Sequence, residues 1–247
     1  MMSKKTVAFL LAFLCLGFLK AQNPDWSLLI PKLAGTLRGG VSTEGDSKWF
    51  SEFKSVKLKS SDQEMKYSLK DDILGKGVIE FIIRPLADSK GAVMKISGKD
   101  FPEDLKLIWT YGGASNKDVD IDKWLPKILP EDCYQNVFSI EGNSFTLYYG
   151  NSRKLRILEA LTPPGGMLSL ADANQQTNPL QLLQSGKKTV AQVLTADVGI
   201  AADKDYYFCF YFLCPMADYN YFMLPKLFEE GSYRVNKETE WMKSTPD

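Results

Sequence analysis

Tyr206-Tyr207-Phe208-Cys209-Phe210-Tyr211-Phe212-Leu213-Cys214 is an unbroken apolar run between polar stretches. Successive side chains of a strand point to opposite faces, so such a run offers water neither face. It reads as a strand buried on both sides, in the middle of a sandwich or beneath a neighbouring domain. Val78–Leu86 carries the same signature. Around these two segments the hydrophobic period is two: Met65, Tyr67 and Leu69; Leu105, Leu107, Trp109 and Tyr111; Phe145 and Leu147 before Tyr149. That alternation marks half-buried strands and places Trp109 in the core with its in-phase neighbours. Ser139 to Tyr149 reads as a hairpin turning at Glu141-Gly142-Asn143, where Gly and Asn tolerate positive φ. Phe53–Lys59, Ala92–Ser97, Leu155–Ala160 and Val190–Asp197 are further strand candidates.

Helix signals are few. Asn178 can cap a short helix opened by Pro179 and carrying Leu180, Leu182 and Leu183. The charged segment Leu227–Lys243 reads as a surface or linker helix. Thr162-Pro163-Pro164-Gly165-Gly166 is a loop. Many short strands with little helix predict a mainly all-β chain, an antiparallel β-sandwich with a few short helices and a C-terminal linker helix.

The chain opens with Lys4 and Lys5 before the apolar stretch Val7–Leu19 and the step Leu19-Lys20-Ala21. The stretch is shorter than the ~20 residues that span a bilayer. Charged front, apolar centre and small residue at the end make a secretory signal peptide, cleaved before Gln22. Leu14 stands where a lipoprotein site before Cys15 wants Gly or Ala, so no lipid anchor is expected. The expected layout is a signal peptide over 1–21, a β-sandwich over 22–226 and a linker over 227–247. The product is exported, periplasmic or extracellular, without membrane insertion after cleavage. Cys133, Cys209 and Cys214 remain, an odd set for a disulfide framework. Cys209 and Cys214 differ by an odd offset, which puts them on opposite faces of a strand, so small buried hydrophobes are the better reading.

Composition narrows the chemistry. Of 247 residues 45% are hydrophobic, enough for a packed core and too many for wholesale disorder. Lys+Arg and Asp+Glu are both 30, which gives no overall basic excess of the kind nucleic acid needs. Histidine is absent, which excludes Ser-His-Asp and Cys-His catalysis and His-ligated zinc or haem. No cofactor is expected. Asp118, Asp120 and Asp122 put three carboxylates on one side of an extended segment, a weak calcium candidate without the Gly and closing Glu of an EF-hand. Tyr111-Gly112-Gly113-Ala114-Ser115 and Arg38-Gly39-Gly40 read as turns that need backbone freedom rather than phosphate loops. Trp49, Trp124 and Tyr148 are the aromatic residues whose surroundings suit stacking on sugar rings. The acid pairs Asp71-Asp72 and Glu131-Asp132 read as solvated turns, with no spacing that places two carboxylates across a cleft. No catalytic residue is assigned.

Several segments together resemble a known family: Leu74-Gly75-Lys76-Gly77, Ile108–Ala114, Ile140–Gly150, Leu170-Ala171-Asp172-Ala173, Gln175-Gln176 and Pro179–Ser185. They look like the β-rich domain of unknown function at the N-terminus of large secreted Bacteroidetes proteins, over most of residues 25–225. The resemblance implies a following helical domain similar to six-hairpin glycosidases, entered through a Thr-Pro-Asp step, in a setting of polysaccharide breakdown. Thr245-Pro246-Asp247 matches that step at the end of the sequence, so the β-domain and its linker are expected here without the helical domain. Two functions from different classes follow. One is a non-catalytic β-sandwich module of a secreted glycoside hydrolase-like protein, partnered by that helical domain. The other is a free-standing periplasmic or surface protein that binds polysaccharide through Trp49, Trp124 and Tyr148. A self-sufficient carboxylate glycosidase is the third and least supported reading.

Overall fold

A computed structural model describes residues 28–30, 35–61, 64–115, 127–151, 154–214 and 217–231. The signal peptide read over 1–21, the carboxylates of Asp118, Asp120 and Asp122, and Trp124 lie outside them. In chain order the strands are β1 (Leu28–Ile30), β2 (Gly35–Thr43), β3 (Asp46–Trp49), β4 (Ser55–Ser60), β5 (Met65–Lys70), β6 (Val78–Pro85) and β7 (Gly91–Lys99). Then follow β8 (Lys106–Gly112), β9 (Val137–Glu141), β10 (Ser144–Asn151), β11 (Lys154–Leu161), β12 (Ser169–Asp172), β13 (Gln192–Gly199) and β14 (Tyr206–Phe212). Among the described residues are two α-helices, α1 (Pro179–Ser185) and α2 (Leu224–Gly231), beside short 3-10 turns. The strands form a smaller sheet in the order β1-β2-β8-β13-β12, with β3 also on β2, and a larger one in the order β4-β5-β6-β7-β14-β11-β10-β9. Every pairing is antiparallel. The expected sandwich is the fold.

β14 lies mid-sheet, hydrogen-bonded to β7 and β11. Phe208 and Phe210 point inward to the smaller sheet; Phe208 meets Trp109 edge-on at 5.4 Å and Phe210 stacks on Tyr111 at 5.0 Å. Phe145 of β10 completes the aromatic centre, 6.4 Å from Trp109. Each such ring pair adds roughly 0.5–1.5 kcal/mol beyond area burial. Trp109 is thus a core residue, as its phase with Leu105 and Leu107 requires. The opposite face of β14, Tyr207, Cys209 and Tyr211, is covered by Tyr219, Leu224, Leu227 and Phe228. Helix α2 therefore begins before the charged run and seats an apolar stripe on the larger sheet; residues beyond Gly231 are outside the description.

β6 departs from its expected double burial. Ile79, Phe81 and Ile83 are inside, whereas Glu80 and Arg84 stand on the other face, ion-paired with Lys66 at 2.9 Å and Glu64 at 2.9 Å. That face is shared: Glu80 lies near its solvated end, whereas Arg84 tucks beneath α2, donating to the Phe228 carbonyl at 3.0 Å. Arg38-Gly39-Gly40 is also corrected. It is not a turn but the middle of β2. A Cβ on Gly40 would lie 2.7 Å from the Pro179 ring and 2.7 Å from the Lys48 carbonyl, so close approach of α1 and β3 requires the glycine. Helix α1 forms as its sequence signals predict: Pro179 opens it and the Asn178 side chain accepts from the Gln181 N–H at 2.8 Å.

Candidate functional site

Asp71 and Asp72 are each held by separate basic partners. Asp71 is buried, and burial works to raise its carboxyl. That is outweighed by Lys48 Nζ, which donates at 2.7 Å, and by the Lys54 and Ile73 amides, so the group is held below its ordinary value. Asp72 is exposed and pairs with Lys54. Asp172, which sequence reasoning did not single out, is also buried. Burial again pushes upward, but Asn174 and Thr189 donate to its Oδ1 and hold it below the ordinary range. Both carboxylates are structural acceptors, unsuited to protonating a leaving oxygen. The described residues bring together no group of three or more His, Cys, Asp or Glu placed to hold a metal.

Trp49 is not a sugar platform. It is 0% exposed, at the end of β3 and against the outer face of the smaller sheet. Its Nε1 donates to the Gln176 carbonyl at 3.0 Å, and the Arg38 guanidinium lies 3.9 Å over its ring. Ile128, Cys133, Leu182 and Val193 pack around it. Burial pulls the Arg38 guanidinium down to about 10, while Glu52 acts the other way. Gln176 ties the cluster together: its Oε1 accepts from Arg38 and Ile128, and its Nε2 donates to the Ile128 and Ala173 carbonyls. A ring closed on every side by these groups has no face left for a pyranose.

Tyr148 is open, 36% exposed, and Trp124 lies outside the described residues. It stands on the outward face of the larger sheet, in register with Val137 of β9 and Ile157 of β11. Leu213 continues the row, its amide donating to the Ile157 carbonyl. Leu155, two residues before Ile157, shares the face. Val137, Leu155 and Leu213 are 62%, 63% and 54% exposed. Among the described residues, helix α2 packs on β6, β7 and β14, and no helix packs on this β9–β11 half. The row was missed in sequence because its members come from four separate segments. The readable signal was one of phase: Tyr148 is apolar in the outward register of β10, between inward Leu147 and Tyr149.

At the end of the β9–β10 hairpin lies an open cleft of about 530 Å³, lined by Ile140, Gly142, Asn143 and Pro164–Leu168. Gly142 has φ +58°, as the expected turn demands. Asn143 and Thr162 clamp the Pro163-Pro164 loop to it, with Thr162 Oγ1 donating to the Asn143 carbonyl at 2.9 Å. The cleft holds no charged side chain, so it offers shape without acid–base chemistry.

Among solved structures, the chain is similar to a bacterial glucoamylase complexed with acarbose, with a TM-score of 0.52 and 13% sequence identity. The match covers 82% of this chain and 32% of that one, so this chain spans about a third of the glucoamylase's length and the likeness is one of fold. No curated protein matches. The sequence matches the domain of unknown function DUF4450 over residues 30–232. Covering nearly all of the sandwich, from the end of β1 to just past α2, that match shows that the chain belongs to the DUF4450 family.

Proposed function

We propose that this chain is a non-catalytic β-sandwich module of an exported glycoside hydrolase-like protein that works on polysaccharide. Its signal peptide is removed before Gln22, and the module acts in the periplasm or outside the cell. It packs against a helical glycosidase-like domain through the outward row Val137, Tyr148, Ile157 and Leu213. The observation that carries the reading is this uncovered apolar row, on a sandwich whose fold recurs in about a third of a glucoamylase. An exposed apolar row on a sheet that is elsewhere roofed by a helix is the surface expected of a domain interface. The carboxylates support the same reading, since Asp71 and Asp172 are committed to structural hydrogen bonds.

The test has two arms. The purified chain is assayed for released reducing sugar on a panel of plant and host polysaccharides. It is also titrated with the helical domain of a family member. No turnover, together with a rise in melting temperature that Val137→Ser/Tyr148→Ser removes, is the expected result. Turnover abolished by a single acid-to-amide change overturns the non-catalytic reading. Absence of any complex overturns the docking reading. A second reading, a free-standing glycan-binding protein, is favoured by the open ring of Tyr148 alone; tight glycan binding without complex formation would establish it.

A further inference from the structure

The same outward face of the larger sheet changes character at its other end. On β4, Val56 is buried and Lys57 and Lys59 point away from the core. On β5, Met65, Tyr67 and Leu69 are buried, which turns Lys66, Ser68 and Lys70 outward. Lys99 ends β7 on that face. The register joins them: Lys59 stands opposite Lys66, Lys57 opposite Ser68, Ser68 opposite Glu80 and Glu80 opposite Ser97. Glu80 pairs with Lys66. Among the described residues Lys57, Lys59, Lys70 and Lys99 have no ion pair.

Lysines on an edge strand guard it against pairing with another chain. That accounts for Lys57 and Lys59 on β4, but not for Lys66 and Lys70 one strand in, nor for Lys99 on the fourth strand. The opposite edge, β9, reads Val137-Phe138-Ser139-Ile140-Glu141 and has no lysine at all. Like charges directly opposite across a ladder destabilise it, and Lys59 against Lys66 is such a pair. In a chain whose total charge is zero, four lysines without an ion pair gathered on one face, around the Lys66–Glu80 pair, fit an anionic occupant.

The geometry points to a binding face for anionic polysaccharide, a polymer with repeated carboxylate or sulfate groups laid across β4, β5 and the Glu80–Ser97 part of β6 and β7, away from the Arg84 and Lys95 end where Phe228 of α2 packs. This rests on the polysaccharide setting proposed above and names the class of glycan. Lys57 and Lys59 stand two residues apart on β4, roughly 7 Å along the strand, with Lys59 opposite Lys66, and Lys70 and Lys99 extend the same face, a spread of cations that suits a repeatedly charged chain. Ser68 and Ser97 lie between them, and their hydroxyls both donate to and accept from sugar hydroxyls. Nucleic acid fits less well, because no aromatic side chain stands on this face of β4–β7 for a base to stack on. An anionic membrane fits less well too, because the large exposed apolar residues among those described lie elsewhere. The module then holds glycan on one half of the sheet and its helical domain on the other, with α2 between.

The test is affinity electrophoresis of the full chain in gels containing polygalacturonate, heparin or neutral amylose, with single-stranded DNA and phosphatidylserine vesicles as separate probes. Expected are retardation by polygalacturonate or heparin, no retardation by amylose, and a roughly tenfold weakening between 50 and 200 mM salt. Lys57→Gln/Lys59→Gln/Lys70→Gln/Lys99→Gln abolishes retardation, and its melting temperature stays at or above that of the parent chain because like-charge repulsion is relieved. Amylose binding that ignores the four substitutions sinks this inference and leaves the polysaccharide reading standing. Binding of DNA or vesicles in preference to every glycan sinks both. A folded quadruple variant that still binds polygalacturonate removes the face from the argument.

Discussion

Trp49→Ala separates a buried ring from a sugar-binding one, because a buried ring predicts a large loss of stability and an exposed platform almost none. The ring is 0% exposed, donates from Nε1 to the Gln176 carbonyl and lies beneath Arg38. Removing a buried aromatic side chain of this size costs about 3–5 kcal/mol, the upper part applying where the site cannot collapse. Collapse is resisted here: the ring's neighbours are held by the paired Gln176 bonds to Ile128 and Ala173 and by the β2–β3 ladder. The desolvated cation over the ring contributes about 1 kcal/mol of its own. A loss of about 4 kcal/mol is therefore expected, and for a chain of this size it lowers the melting temperature by about 8–16 °C.

Thermal and urea unfolding of both Trp49→Ala and Tyr148→Ala give the comparison. Tyr148 is on the outward face, and its removal should change stability by under about 1 kcal/mol. Trp49→Phe keeps an aromatic ring but lacks the Nε1 donor, so it should fall between the two. If Trp49→Ala unfolds with the parent chain and loses affinity for a glycan, the burial argument fails and the ring is a platform after all.

Asp71→Asn should cost about 1–3 kcal/mol at neutral pH, since Lys48 and the Lys54 amide lose a charged acceptor. The Asp71 carboxyl is held below its ordinary value of 3.8, so its contribution is full above that value and is lost as pH falls through the folded-state value. Urea midpoints measured between pH 7 and pH 2 should then fall less steeply for the variant; parallel curves would contradict the assignment. The thiols give a third prediction. Cys133 and Cys209 are buried, and burial pushes the Cys133 thiol up to about 12 and the Cys209 thiol higher still, whereas Cys214 is part-exposed. Of these three, native protein should react with an alkylating reagent at Cys214 alone, and peptide mapping that finds Cys209 labelled before unfolding would contradict the packing of α2.

Periodicity reads a strand's own neighbours, and wherever the neighbours decide, the sequence was informative. The inward set Leu107, Trp109 and Tyr111 and the doubly covered run Tyr206–Phe212 could be recognised because every alternate residue agrees. Trp49 misleads for the same reason in reverse. Asp46, Ser47, Lys48, Ser51 and Glu52 surround it in sequence and suggest a wet edge, but Gln176 and Leu182 are what bury it, and they arrive from far along the chain. Gly40 is a similar case: its lack of a side chain answers to Pro179, which no local pattern around β2 announces. The two surfaces that carry the functional reading share this character. Lys57 and Lys59, or Lys66 and Lys70, look in sequence like ordinary solvated positions on alternating strands. Only the register that sets Lys59 against Lys66 and draws Lys99 to the same face turns them into a field. Likewise Val137, Tyr148, Ile157 and Leu213 are single apolar residues out of phase in four segments until β9, β10, β11 and β14 align them. A lone exposed apolar side chain needs no explanation, whereas several brought into one row by hydrogen-bonded register do.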